Sequence, residues 1–205
     1  MLYAIDKNTN SLPVIEAALN DLRQIINYRI KAWFNGENIA FNDLVGKLQL
    51  GSNLLRDEVL ADMNFVPRTE EMVIILTAIA PHVLPNFFES VIMEQLPNGG
   101  DFPEFGGVKG TNYRGMLPTG ETIQFILAGM DINERIGTQD YFSSDHFFYK
   151  QDILWIERLK EGEPVMSGKL IVSQEWLHKL LTGKELSPQF DTEFPARCIT
   201  TSMTW

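Results

Sequence analysis

Between Met72 and Ala80 the chain reads MVIILTAIA, an almost uniformly apolar segment that needs burial on most sides. Whatever the remaining residues fold into has to wrap it. Thr69, followed by Glu70 and Glu71, marks a helix start, because carboxylates in a first turn meet the positive end of the helix dipole. Pro81 and Pro85 are expected to break this helix, and PNFFESVIMEQL to form another short one before Pro97-Asn98. The run falls well short of the roughly 18 apolar residues that span a bilayer. The first residues, MLYAIDKNTN, lack the charged start and apolar stretch of a signal peptide. No membrane partner is expected, and the cytoplasm is the expected location.

Cover for the apolar segment is offered upstream. Asn10 or Ser11 can cap a helix that Pro13 enters at its first turn. Ile15, Ala18, Leu19, Leu22, Ile25, Ile26 and Ile30 follow helical spacing to Trp33, leaving Glu16, Asp21, Arg23 and Lys31 outside and an end near Asn35-Gly36. The stripe reads as core, with a partner-helix or oligomer surface as the sharper alternative. A second helical patch runs from Asn53 to Met63.

The second half is mixed. Thr119 is expected to cap ETIQFILA, stopped by Gly129, and Asp131 to cap INERIG. FFYKQDILWIERL, 147–159, reads as a strand, EGEP at 161–164 as a turn and MSGKLIV at 166–172 as the return strand of a β-hairpin. Ser173 then caps QEWLHKLL, closed by Gly183. FPARCITTSMTW alternates like a strand and stops on Trp205, so the chain is expected to be cut from something longer.

The two halves are separated by GGDFPEFGGVKGTNYRGMLPTGET, 99–122, which holds seven of the fifteen glycines. Such density suits a shaped loop with demanding backbone angles. Lys109 and Arg114 are its only cations, and an anion or an acidic partner surface is their natural target. With Tyr113 they are the candidate binding residues. The plainer reading is a structural loop whose aromatics, Phe102, Phe105 and Tyr113, pack on their own domain. A third is a strand-like or clamp contact with another domain or subunit.

Composition removes several classes of function. Lys and Arg total 17 against 27 Asp and Glu, a net charge of −10 shared evenly between the halves, so a dominant contact with nucleic-acid phosphates is not expected. The single cysteine, Cys198, has no internal partner and fits a reducing compartment. Gly46-Lys47-Leu48, Gly168-Lys169-Leu170 and Gly183-Lys184-Glu185 all lack the Ser/Thr that a phosphate-binding loop supplies to magnesium. His82, His146 and His178 lie far apart with no further ligand at zinc spacing. Asp145-His146 beside Ser143-Ser144 only imitates a triad, since triad members come from distant positions, and a capped turn is expected there. Glu70-Glu71 and Asp57-Glu58 read as solvated helix faces. No catalytic, cofactor-binding or metal-binding residue is assigned.

Several stretches taken together, DFPEFGGVKGTNYRGMLPTGETIQFILAG, DHFFYKQDIL, EGEPVMSGKLIVSQEWL and FPARCITTSMTW, resemble the region preceding the ATPase module in a group of bacterial, Bacteroidetes-type AAA family ATPases. The resemblance covers about Phe41 to Trp205 and is weakest over the N-terminal helix. It implies that the Walker motifs, with ATP and magnesium, belong to a module downstream of Trp205. This chain would then be a non-catalytic accessory, substrate-recognition or regulatory region. Its partners would be a protein substrate or neighbouring ATPase subunits, in a homo-oligomeric full-length protein. Some related ATPases carry winged-helix domains before the ATPase, and the helices with the later hairpin would allow a winged-helix-like module.

The expected fold is therefore α+β. A helical N-terminal subdomain, 1–97, is followed by a glycine-rich connector, 98–122, and a smaller α/β subdomain, 123–205, with a hairpin and a C-terminal strand. A winged-helix nucleic-acid-binding module and an anion- or small-molecule-binding domain using the glycine-rich loop are the alternative functions.

Overall fold

The apolar run occupies the middle of helix α3, Thr69–Val83, in a computed structural model that describes residues 11–48, 66–100 and 102–182. Every side chain from Glu71 to Pro81 is buried. Helix α1, Ser11–Phe34, lays Ile15, Leu19, Leu22, Ile26 and Ile30 into the same core. It packs against α2 (Phe41–Lys47), α3, α4 (Phe87–Gln95) and α5 (Gly120–Ala128). The chain continues through α6 (Ile132–Gly137), α7 (Phe147–Lys150) and α8 (Gln174–Thr182). Two small antiparallel sheets complete an α+β, helix-rich fold: β1 (Val108–Lys109) with β2 (Met116–Leu117), and β3 (Leu154–Ile156) with β4 (Leu170–Val172). One apolar cluster runs from Val14 to Leu180 and takes in Phe102 and Phe105 of the glycine-rich stretch. Among the described residues no single helix is long and apolar enough to cross a membrane.

Pro81 does not break α3. A proline removes one backbone donor, but Ala78, Ile79 and Ala80 are held by burial on all sides, and Leu84 N–H still donates to Ala80 O at 2.9 Å. The helix ends instead at the residues before Pro85, where Leu84 is extended (φ −125°, ψ 94°), the conformation a following proline favours. Asn86, at φ 64°, then turns the chain into α4.

Three polar assignments on these helices need correction. Glu71 is buried rather than solvated, and Asp21 is buried on α1. Arg23 is half-buried, pairing with Glu94, donating to Ser90 Oγ at 3.2 Å and lying over the Phe87 ring. The strand expected from residue 147 begins only at Leu154, because Phe147–Lys150 closes a helical turn and Asp152 takes φ 50°. The return strand shortens in the same way, its first residues forming the 3-10 turn Val165–Ser167. The helix expected over Asn53–Met63, the closure at Gly183 and the terminal strand lie outside the described residues.

Helix α5 is the innermost short helix, with every side chain from Thr122 to Ala128 buried. Its ends cannot reach water, so neighbours must satisfy their backbone groups. At the N-terminus Thr119 does so, its hydroxyl accepting from Thr122 N–H while Thr119 N–H donates to Thr122 Oγ1 at 3.0 Å. At the C-terminus Arg29 of α1 does so: Nε donates to Ile126 O at 3.0 Å and Nη2 to Leu127 O at 3.0 Å. The third branch, Nη1, donates to Ile39 O at 2.6 Å. Burial lowers the Arg29 pKa to about 10, which leaves it protonated at neutral pH. Gly129, at φ 59°, admits it; a Cβ there would lie 2.9 Å from Nη1.

Arg29→Met is expected to destabilise the protein by about 2–4 kcal/mol in urea unfolding, because buried carbonyls lose their donors. Arg29→Lys should recover only part of that, since one ammonium cannot reproduce the planar fork. Gly46 in α2 has open space around its Cβ direction, so Gly46→Ala is expected to stabilise by about 0.5 kcal/mol.

Candidate functional site

The glycine-rich stretch folds as a ribbon anchored at its base. Pro103–Phe105 forms a 3-10 turn that drives Phe105 fully into the core, against the rings of Phe88 and Phe125 at centroid distances of 5.8 and 5.6 Å. Phe102 packs on Trp33, Phe34 and Phe125 at 5.2, 5.5 and 5.3 Å. Edge-on and offset contacts of this kind orient rings as well as burying area, so these two phenylalanines fix where the ribbon leaves the helices. Gly106, at φ 72°, passes so close to the start of α5 that a Cβ would lie 2.8 Å from Glu121 Cβ and 3.0 Å from Thr122 N. Gly107 N–H then donates to Thr119 Oγ1 at 3.1 Å.

From this base the chain pairs Val108 with Leu117 and Lys109 with Met116, and residues 110–115 form the tip. Lys109 and Arg114 are exposed, and neither enters an ion pair among the described residues. Tyr113 is half-buried and lies over Gly115, where a Cβ would come within 2.7 Å of its Cε1. Its hydroxyl is buried and has no hydrogen-bond partner among the described residues. Lys109 and Arg114 therefore form the accessible positive charge of the ribbon, with Glu104 exposed near its base, while Tyr113 shapes its tip.

The ribbon base is tied to the β3–β4 hairpin. Thr119 and Lys169 form an antiparallel bridge, with Leu170 N–H donating to Pro118 O at 2.8 Å and Gly120 N–H to Gly168 O at 3.2 Å. The hairpin register is Leu154 with Val172, Trp155 with Ile171 and Ile156 with Leu170. Because Thr119 Oγ1, Thr119 O and Gly168 O take the N–H groups of Gly107, Thr122, Ile123 and Gly120, these backbone donors are already engaged. An incoming group would meet side chains here before it met a cradle of free amides.

The Ser143–His146 segment is organised differently from a triad. His146 Nδ1 accepts from Phe148 N–H at 3.2 Å, capping α7, and its Nε2 faces Glu71 Oε1 at 3.2 Å. Asp145 is exposed and its ion-pair partner is Lys150, 3.8 Å away. Both imidazole nitrogens thus have partners other than Ser143 and Ser144. Among the described residues there is no group of three or more His, Cys, Asp or Glu side chains placed to hold a metal ion.

Two residues that organise these surroundings carried weak sequence signals. Arg29 interrupts the apolar face of α1 one turn beyond Ile25 and Ile26, a position where a cation calls for a buried acceptor. Glu71 stands three residues after Arg68, and its carboxylate accepts from Arg68 N–H at 2.6 Å and from the guanidinium at 2.9 and 3.1 Å. Comparison of the chain with protein-family models, curated proteins and solved structures finds no match.

Removing the unpaired phenol should not harm the fold. Tyr113→Phe is expected to leave stability unchanged or raise it by up to about 1 kcal/mol, because a buried hydroxyl without a partner is a desolvation penalty. Gly106→Ala should lower stability by about 1–3 kcal/mol, through overpacking at a positive φ. Thermal and urea unfolding of the two variants check both values.

Proposed function

We propose that this chain is a non-catalytic accessory region of a cytoplasmic AAA ATPase, recognising a protein substrate or regulating the ring. The wider assignment rests on the resemblance carried by residues 41–205, and ATP and magnesium belong to the downstream module. The observation that carries the binding role is the ribbon itself. It presents Lys109 and Arg114 to solvent from a base anchored by Phe102 and Phe105, while nearby backbone donors are engaged internally. Two exposed cations on a rigid base suit salt-sensitive docking to an acidic protein surface. The chain's net charge of −10 makes that local positive site a contrast with its surroundings.

Two measurements test the proposal. The reading frame is expected to continue beyond the codon for Trp205 into a Walker A sequence, and a frame that ends without one removes the ATPase assignment. Lys109→Glu combined with Arg114→Glu should weaken association of residues 1–205 with the separately produced ATPase module by more than about tenfold at low salt. The melting temperature should hold, because exposed substitutions of this kind change stability by no more than about 0.5 kcal/mol. Association that is unchanged by the double substitution would place the docking surface elsewhere.

A further inference from the structure

The imidazole of His146 is half-buried between the start of α3 and the start of α7, with the rings of Tyr141, Phe147 and Phe148 at centroid distances of 5.6, 4.5 and 4.6 Å. Since Nδ1 accepts from Phe148 N–H, the proton of the neutral ring belongs on Nε2, where it donates to Glu71 Oε1. The Phe148 carbonyl accepts from Ile153 N–H at 2.8 Å, and the Ile153 carbonyl from Ser173 N–H at 2.9 Å. Ser173 immediately precedes α8, and its carbonyl accepts from Leu177 N–H at 2.9 Å. A single series of hydrogen bonds therefore connects the imidazole to α7, the hairpin and α8.

We propose that His146 is an acid-operated cap: in its neutral form Nδ1 fixes the first turn of α7 and, through the Phe148 carbonyl, the entry to the β3–β4 hairpin, and a proton from solvent on Nδ1 releases that turn while the hairpin stays on the core beside α3. The protonated nitrogen can no longer accept, and two N–H groups then confront each other at the start of α7. The release breaks the Phe148 N–H···Nδ1 bond and leaves the Nε2–H···Glu71 contact in place.

The surrounding charges set the window. From α3 and its cap, Glu71 favours the imidazolium and Arg68 opposes it; Glu70 lies further along the same turn. From the 3-10 turn Thr138–Phe142 comes Tyr141, itself under the Arg68 guanidinium at 5.5 Å. Asp145 and Lys150 on the segment of His146 pair with each other. Burial is the largest influence and, with Arg68, outweighs Glu71, so the His146 pKa lies below its usual 6.5. The unfolded chain thus takes up the proton more readily than the folded one, and stability is fully present above pH 6.5 and falls as pH drops below it. For Glu71, burial acts to raise the pKa but is outweighed by hydrogen bonds from Arg68, so its contribution is lost only below about its ordinary 4.5. His82, lowered by burial, titrates in the same direction as His146, so a variant must separate the two.

The test is amide hydrogen exchange of Phe148 and Ile153 in the whole chain at pH 7.5 and 5.5, corrected for intrinsic exchange rates, beside NMR titration of the histidines. Protection at both amides is expected to fall by about tenfold on acidification, the size of one lost N-cap hydrogen bond. His146→Asn keeps a capping acceptor that does not titrate, and should remove this fall while leaving the His82 titration intact. Glu71→Gln should shift the His146 midpoint further down. A wild-type midpoint at or above 6.5, or an equal loss of protection in His146→Asn, overturns the proposal.

Discussion

The guanidinium of Arg29 is the interaction on which the placement of everything else depends. It reaches from the middle of α1 to the last carbonyls of α5 and to the chain entering α2, bringing together segments nearly a hundred residues apart. A neutral amide could supply at most two donors, and a lysine lacks the fork. The cation also matches the negative end of the α5 dipole, where carbonyls would otherwise stay buried and unpaired. Arg135 extends the arrangement by donating to Gly129 O at 3.0 Å, while Gln124 Nε2 donates to Arg135 O at 2.9 Å. The turn after α5 is thereby closed from two directions.

With its C-terminus held by α1, α5 becomes a reference against which its other end can be built. Thr119 and Thr122 cap that end, Gly106 and Gly107 cross it, and Pro118 hands the chain on to β4. The glycine-rich ribbon and the hairpin are thus attached to one helix terminus. The glycines matter here for their missing side chains: Gly120 lies where a Cβ would be 2.8 Å from Met166 O, and Gly168 where one would be 2.6 Å from Ile156 Cγ2.

Local signals were legible where the deciding chemistry is itself local. Thr119, Asp131 and Ser173 stand at the starts of α5, α6 and α8, and the apolar spacing of α1 and the burial of 72–80 follow from periodicity and content. Misreadings occurred where an uncommon cap or a distant contact prevails over composition. FFYK reads as strand because it is aromatic, yet His146 caps it as a helical turn. The burial of Glu71 and Arg29 depends on partners that spacing alone cannot pair with them, namely His146 and the α5 carbonyls. In the ribbon, the exposed cations and the glycine-dependent turns could be read from the stretch itself. The burial of Phe105 and the internal use of the backbone donors required the fold.

The unequal strength of the ribbon along its length has a mechanical consequence. Its outer part is joined by only two residue pairs, whereas its base is held by buried rings, the Thr119 hydroxyl and the bridge to Lys169. A tensile load applied at Lys109 or Arg114 would peel β1 from β2 before it reached Phe105. The tip would yield as a compliant handle, while the helices beneath kept their positions.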